Sequence, residues 1–88
     1  MEVEKILEER KKTHGDYAVH ARVTQMLKRV FRCETVGDKL SNEHKEAIDM
    51  IFHKIGRIAA GDPNNQDHWL DISGYATLAM KSCKNDTK

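Results

Sequence analysis

The stretch EAIDMIFHKIGRIAAG, residues 46–61, decides the fold class. Projected at about 100° per residue, Ile48, Ile51, Phe52, Ile55, Ile58 and Ala59 fall on one wide apolar stripe. That is the pattern of a helix laid against a core. Ser41 upstream is a good N-cap and Glu43 suits the positive end of the helix dipole. Gly61 ends the segment, and Gly61-Asp62-Pro63-Asn64-Asn65 is a turn by composition. A further helix begins near Asp67 and runs to about Cys83, with Trp69, Ile72, Ala76, Ala79, Met80 and Cys83 expected on its buried side. A link this short implies an antiparallel helical hairpin.

Upstream, a charged helix covers about Glu2 to Lys12, with Val3, Ile6 and Leu7 on one side, and stops at Thr13-His14-Gly15. Asp16 can cap the next helix, which reaches about Arg32. Tyr17, Ala21, Thr24, Leu27 and Phe31 recur along it at three- and four-residue spacing. Residues 33–38 break the pattern. No segment alternates with period two, so no strand is expected. The expectation is all-α: a small bundle of about four helices around a central antiparallel hairpin. Helices one and two either pack across the hairpin or belong to a dimer interface.

Eighty-eight residues fit one domain, 1–88, with 84–88 as a frayed tail. No apolar run approaches the roughly 20 residues that cross a bilayer. MEVEKILEERKK lacks the apolar core of a secretory leader. Cys33 and Cys83 have no CxxC spacing and read as reduced thiols, which fits the cytoplasm. Fifteen basic and fourteen acidic residues leave a net charge of +1. That balance lacks the global footprint of a nucleic-acid binder. Arg22, Lys28, Arg29 and Arg32 read as a solvated helix face. So small a chain cannot cover helices two and three alone, which points to a homo-oligomer, a dimer first, with one of those helices at the two-fold.

Chemistry-bearing residues gather in three places. On helix three, Glu46, Asp49, His53 and Arg57 share one flank; on helix four, His68, Asp71 and Tyr75 share one shoulder. A turn centred near Pro63-Asn64 sets Arg57 level with Asp71, so an Arg57–Asp71 ion pair is expected, with His53 or Tyr75 adding hydrogen bonds. Asp49 then lies level with about Leu78, roughly 10 Å in rise from Asp71. Taken singly, His20, His44 and His53 read as half-exposed helix residues without a role. At Thr13-His14-Gly15-Asp16-Tyr17, a helix N-terminus beside His14 and Tyr17 can hold a phosphate, while Asp16 serves as its plain N-cap. Trp69 reads as core, or as a stacking face beside the turn. No P-loop, HExxH or paired-cysteine zinc pattern is present.

RKKTHGDY, EAIDMIFHKIGRIAAGDP and DHWLDISGYATLAM together resemble a family of small phage and prophage proteins of uncharacterised function, over nearly the whole chain. The matching positions are His14, Gly15, Asp16, Asp49, Lys54, Arg57, Asp62, Asp67, Trp69, Asp71 and Tyr75. The later half is similar, more distantly, to MazG-type all-α NTP pyrophosphatases, which bind magnesium through an ExxE and an ExxD helix. Glu43 and Glu46 supply the first here; the second reads His68-Trp69-Leu70-Asp71.

Three functions follow as expectations. The first is a phage-type oligomer in the bacterial host cytoplasm that binds a nucleotide or related phosphorylated molecule, sequestering a host signalling nucleotide. His14, Tyr17, Lys54, Arg57, Trp69, Asp71 and Tyr75 would line that site, with Lys54 and Arg57 on phosphate and no cofactor needed. The second is a diverged pyrophosphatase holding Mg²⁺ with Glu43, Glu46, Asp49 and Asp71. The third is an interaction module that inhibits a host protein through an exposed apolar patch.

Overall fold

Three of the four helices begin on a side-chain cap, each an Asx or Ser residue just before an amphipathic run. Asp16 Oδ1 accepts from the Ala18 N–H at 2.8 Å, Ser41 Oγ from His44 at 3.1 Å, and Asn65 Oδ1 from Asp67 at 3.1 Å. These caps set α2 (Tyr17–Glu34), α3 (Asn42–Ala60) and α4 (Gln66–Lys81), which α1 (Glu2–His14) precedes. The computed structural model describes residues 1–84. Among them the protein is all-α, a small helical bundle without a strand. Of the tail expected at 84–88, only Lys84 falls within the described residues.

Helix α3 is the middle of a layer. Gly56 gives its close approach to α2: a Cβ there would run into Thr24 Oγ1 and into Nδ1 and the carbonyl of His20. On the other side lies α4, where Lys54 Nζ meets Asp71 Oδ2 at 2.9 Å and His44 Nε2 lies 3.3 Å from the Ala79 carbonyl. Those two contacts are consistent with the expected antiparallel hairpin. Helices α2 and α4 do not approach each other, and α1 lies exposed from residue 2 to residue 12. The result is extended: 56 × 25 × 23 Å, with a radius of gyration of 15.5 Å, where a compact chain of this length has about 12 Å. Ala47 is the only apolar side chain that is fully buried among the described residues; the other buried side chains are His20, Thr24 and His68.

Two expectations are corrected here. The buried side of α4 is centred on His68, at 2% exposure, not on Trp69, Ala76, Met80 and Cys83, all of which are exposed. Along its length α4 packs on α3 alone, with His14 reaching His68 at its start, so the side holding His68, Ile72, Tyr75 and Ala79 meets α3 and the more apolar side does not. The partner of Asp71 is Lys54 and not Arg57. The turn that Asn65 caps sets the register nearly one helical turn from the one inferred, and Asp71 falls level with Lys54.

Candidate functional site

Gly15 places the site. Its φ of 77° and ψ of −163° lie in a region essentially confined to glycine. A Cβ there would fall on the carbonyl of Ala60. The α1–α2 turn therefore sits directly on the end of α3, one turn beyond Arg57. Between them opens a recess of about 490 Å³. Leu7, Glu8, Arg10 and Lys11 line it from α1; His14, Gly15, Asp16 and Tyr17 from the turn; His20 from α2; His53 and Arg57 from α3.

Imidazoles connect the elements around this recess. His20 and His53 meet edge to face, with ring centroids 4.6 Å apart, and Tyr17 stands 5.9 Å from His20. His14 lies 5.2 Å from His68, joining the end of α1 to the start of α4. His14 Nδ1 is buried without a hydrogen-bond partner, while His20 Nδ1 and Thr24 Oγ1 lie against Gly56 at the α2–α3 contact. A stranded buried polar atom costs about 1–3 kcal/mol.

Burial, and after it the Arg57 guanidinium, pushes the pKa of all three imidazoles down: His14 and His20 below the usual histidine value, and His53 to about 4. The recess therefore holds neutral rings at pH 7, each with one N–H to donate. Around them stand Arg10, Lys11 and Arg57 against Glu8 and Asp16. Donors and a cationic excess suit an anion, and Tyr17, at 80% exposure, offers its ring at the mouth.

With that geometry in place, one comparison with known proteins returns a match: a family model described as a domain of unknown function, DUF6378, covers residues 2–83. The chain belongs to the DUF6378 family. No curated protein and no solved structure matches it. The turn, the histidines and the Lys54–Asp71 pair all lie within the DUF6378 match.

Of the residues singled out in the sequence, the structure of this DUF6378 chain brings His14, Tyr17 and Arg57 together. It does so within one chain. Lys54 is engaged by Asp71, whose carboxyl that hydrogen bond holds below its usual pKa. Tyr75 lies beside Asp71 along a shallow groove on α4, and Trp69 is tied to the turn by Nε1 donating to the Pro63 carbonyl at 2.8 Å. None of these four lines the recess. Glu43 and Glu46 are exposed on α3, and Asp49 lies in another hollow with Phe31, Thr35 and Lys45. No group of three or more metal-ligating side chains comes together among the described residues. His20 and His53, which read singly as half-exposed helix residues without a role, also line the recess, as do Arg10 and Lys11, which the sequence does not single out. The signal existed for two of them: His53 lies one turn before Arg57, and His20 one turn after Tyr17.

Proposed function

We propose that this protein binds a phosphorylated small molecule, and specifically a nucleotide, in the recess between α1, the α1–α2 turn and α3. The observation that carries the reading is the convergence of His14, His20, His53 and Tyr17 on the recess beside Arg57, with His14 Nδ1 buried and unpartnered. Arg57 would hold phosphate as a two-pronged donor. The neutral imidazoles would donate to the remaining oxygens, and Tyr17 would stack on the base. A volume of about 490 Å³ falls within the range of small-molecule sites, roughly 300–1,000 Å³. Binding is favoured over hydrolysis because the gathered groups are donors to an anion, whereas Glu43, Glu46, Asp49 and Asp71 lie apart. In a phage-infected bacterium such a recess would serve to sequester a signalling nucleotide.

Calorimetry tests the reading, with mono-, di-, tri- and cyclic nucleotides titrated against the wild-type chain and Arg57→Ala. Saturable heat that Arg57→Ala removes supports it; absence of heat across the panel contradicts it. Pyrophosphate release from NTPs and dNTPs in the presence of Mg²⁺ would point to the enzymatic alternative instead.

A further inference from the structure

We propose that the face of the layer opposite the recess, formed by α3 and α4 together, seats a second copy of this chain. The two sides of α3 given to Gly56 and Ala47 are occupied by α2 and α4. Two sides remain. At 100° per residue, His53 and Arg57 fall on one, and Ile48, Ile55 and Ala59 fall half a turn away on the other. Ile55 and Ala59 are exposed there, and Ile48 is half-buried.

The strip continues onto α4. Lys54 and Asp71 mark the rim of the α3–α4 seam nearer the recess. On the opposite rim α4 presents Trp69 and Ala76, with Met80 beyond. Trp69 is 53% and Met80 65% exposed. From residue 69 to residue 80 the only charged side chain is Asp71, which Lys54 already neutralises. Trp69 Nε1 is also satisfied, by the Pro63 carbonyl, so covering the indole strands no donor.

Charge selects the occupant. A two-fold contact sets each patch against its own copy, and a strip without free charge can meet itself. The rival apolar surface on α2, around Met26 and Val30, is bordered by Arg22, Lys28, Arg29 and Arg32. Pairing α2 with itself would set cation against cation. Area agrees with a second copy. The chain exposes 6910 Å², where a folded monomer of its 10.1 kDa exposes about 5,300 Å². Part of that excess of about 1,600 Å² is the exposed α1, and a standard interface needs roughly 800 Å² from each partner. The recess faces away from this contact and stays open in the pair.

Light scattering coupled to size exclusion reads the mass directly. The wild-type chain should run at twice its 10.1 kDa. Ile55→Glu and Ala76→Glu should reduce that to one chain, while Val30→Glu should leave it unchanged. A second measurement leaves the interface intact. Both native cysteines are exposed, so Ala76→Cys and Val30→Cys are each placed in a chain carrying Cys33→Ser and Cys83→Ser. A short bis-maleimide should join two copies through Ala76→Cys and not through Val30→Cys. A wild-type mass of one chain at every concentration overturns the proposal and leaves the strip to a different protein. A dimer that cross-links at Val30→Cys alone, or at neither position, overturns it as well.

Discussion

The two open sides of α3 are about half a helical turn apart and differ in nearly every property. One carries His53 and Arg57, is partly roofed by α1 and the Gly15 turn, and ends at the buried His14 Nδ1. The other carries Ile48, Ile55 and Ala59 and is roofed by nothing in this chain. The polar side is thus the one the chain covers, and the apolar side is the one it leaves to water. Burial driven by apolar area alone would give the opposite arrangement. The contrast shows that the backbone fit at Gly15 and Gly56, rather than the apolar stripe, decides which side of the layer is closed.

The sharpest way to break that contrast is at Gly15. Alanine there meets both an unfavourable φ and the Ala60 carbonyl. Gly15→Ala should lift the turn from α3, lower stability by 2 kcal/mol or more, and abolish ligand binding together. Denaturant titration with calorimetry checks both; a variant that loses neither would remove the turn from the account. Next is Arg57→Ala, which should weaken nucleotide affinity by about 10- to 100-fold, the worth of charge-assisted hydrogen bonds, with little change in chemical stability.

How much of this was legible beforehand differs between the two sides. The helices and their caps were readable at Asp16 and Ser41, because capping is local chemistry. The apolar stripe of α3 was readable as periodicity, but periodicity does not say whether the chain itself covers the stripe. Ile55 stays exposed and Gly56, one residue on, is buried. The partner of Asp71 is not legible locally, because register across a hairpin depends on the turn, here capped by Asn65. A shift of three residues moves Asp71 from Arg57 to Lys54. The histidines were undervalued because each alone is unremarkable; their meeting depends on three helices converging, which no local spacing encodes. Of the expected site residues, the structure brings only His14, Tyr17 and Arg57 to one recess, from the turn motif and the α3 flank.

Asp71→Ala offers a smaller effect on the α3–α4 seam. The Lys54 side chain is only 12% exposed and Asp71 is 45% exposed. Removing the carboxylate leaves a largely covered ammonium without its partner, so chemical unfolding should come at a lower denaturant concentration. Changing both, as Lys54→Met with Asp71→Leu, should recover most of that loss.

Acid separates the two sides by protonation. His14, His20 and His53 have folded pKa values below 6.5, so the unfolded chain takes up protons first as pH falls. Stability is then full above about pH 6.5 and declines as pH drops from there toward 4, the His53 value. A bound anion favours the protonated rings and should offset the decline, so nucleotide should raise the melting temperature more at pH 5.5 than at pH 8. Melting curves with and without nucleotide check this; equal shifts at both pH values would separate the histidines from the ligand. The smallest effect belongs to Lys45→Ala. Its 3.8 Å pair with the exposed Asp38 should contribute under about 0.5 kcal/mol.

The most direct test sets one substitution from each side of α3 in a single nucleotide titration. The account predicts saturable binding to the wild-type chain, its loss in Arg57→Ala, and its retention in Ile55→Glu. Binding that survives Arg57→Ala unchanged, or that disappears in a folded Ile55→Glu protein, would contradict the assignment of the ligand to the histidine side.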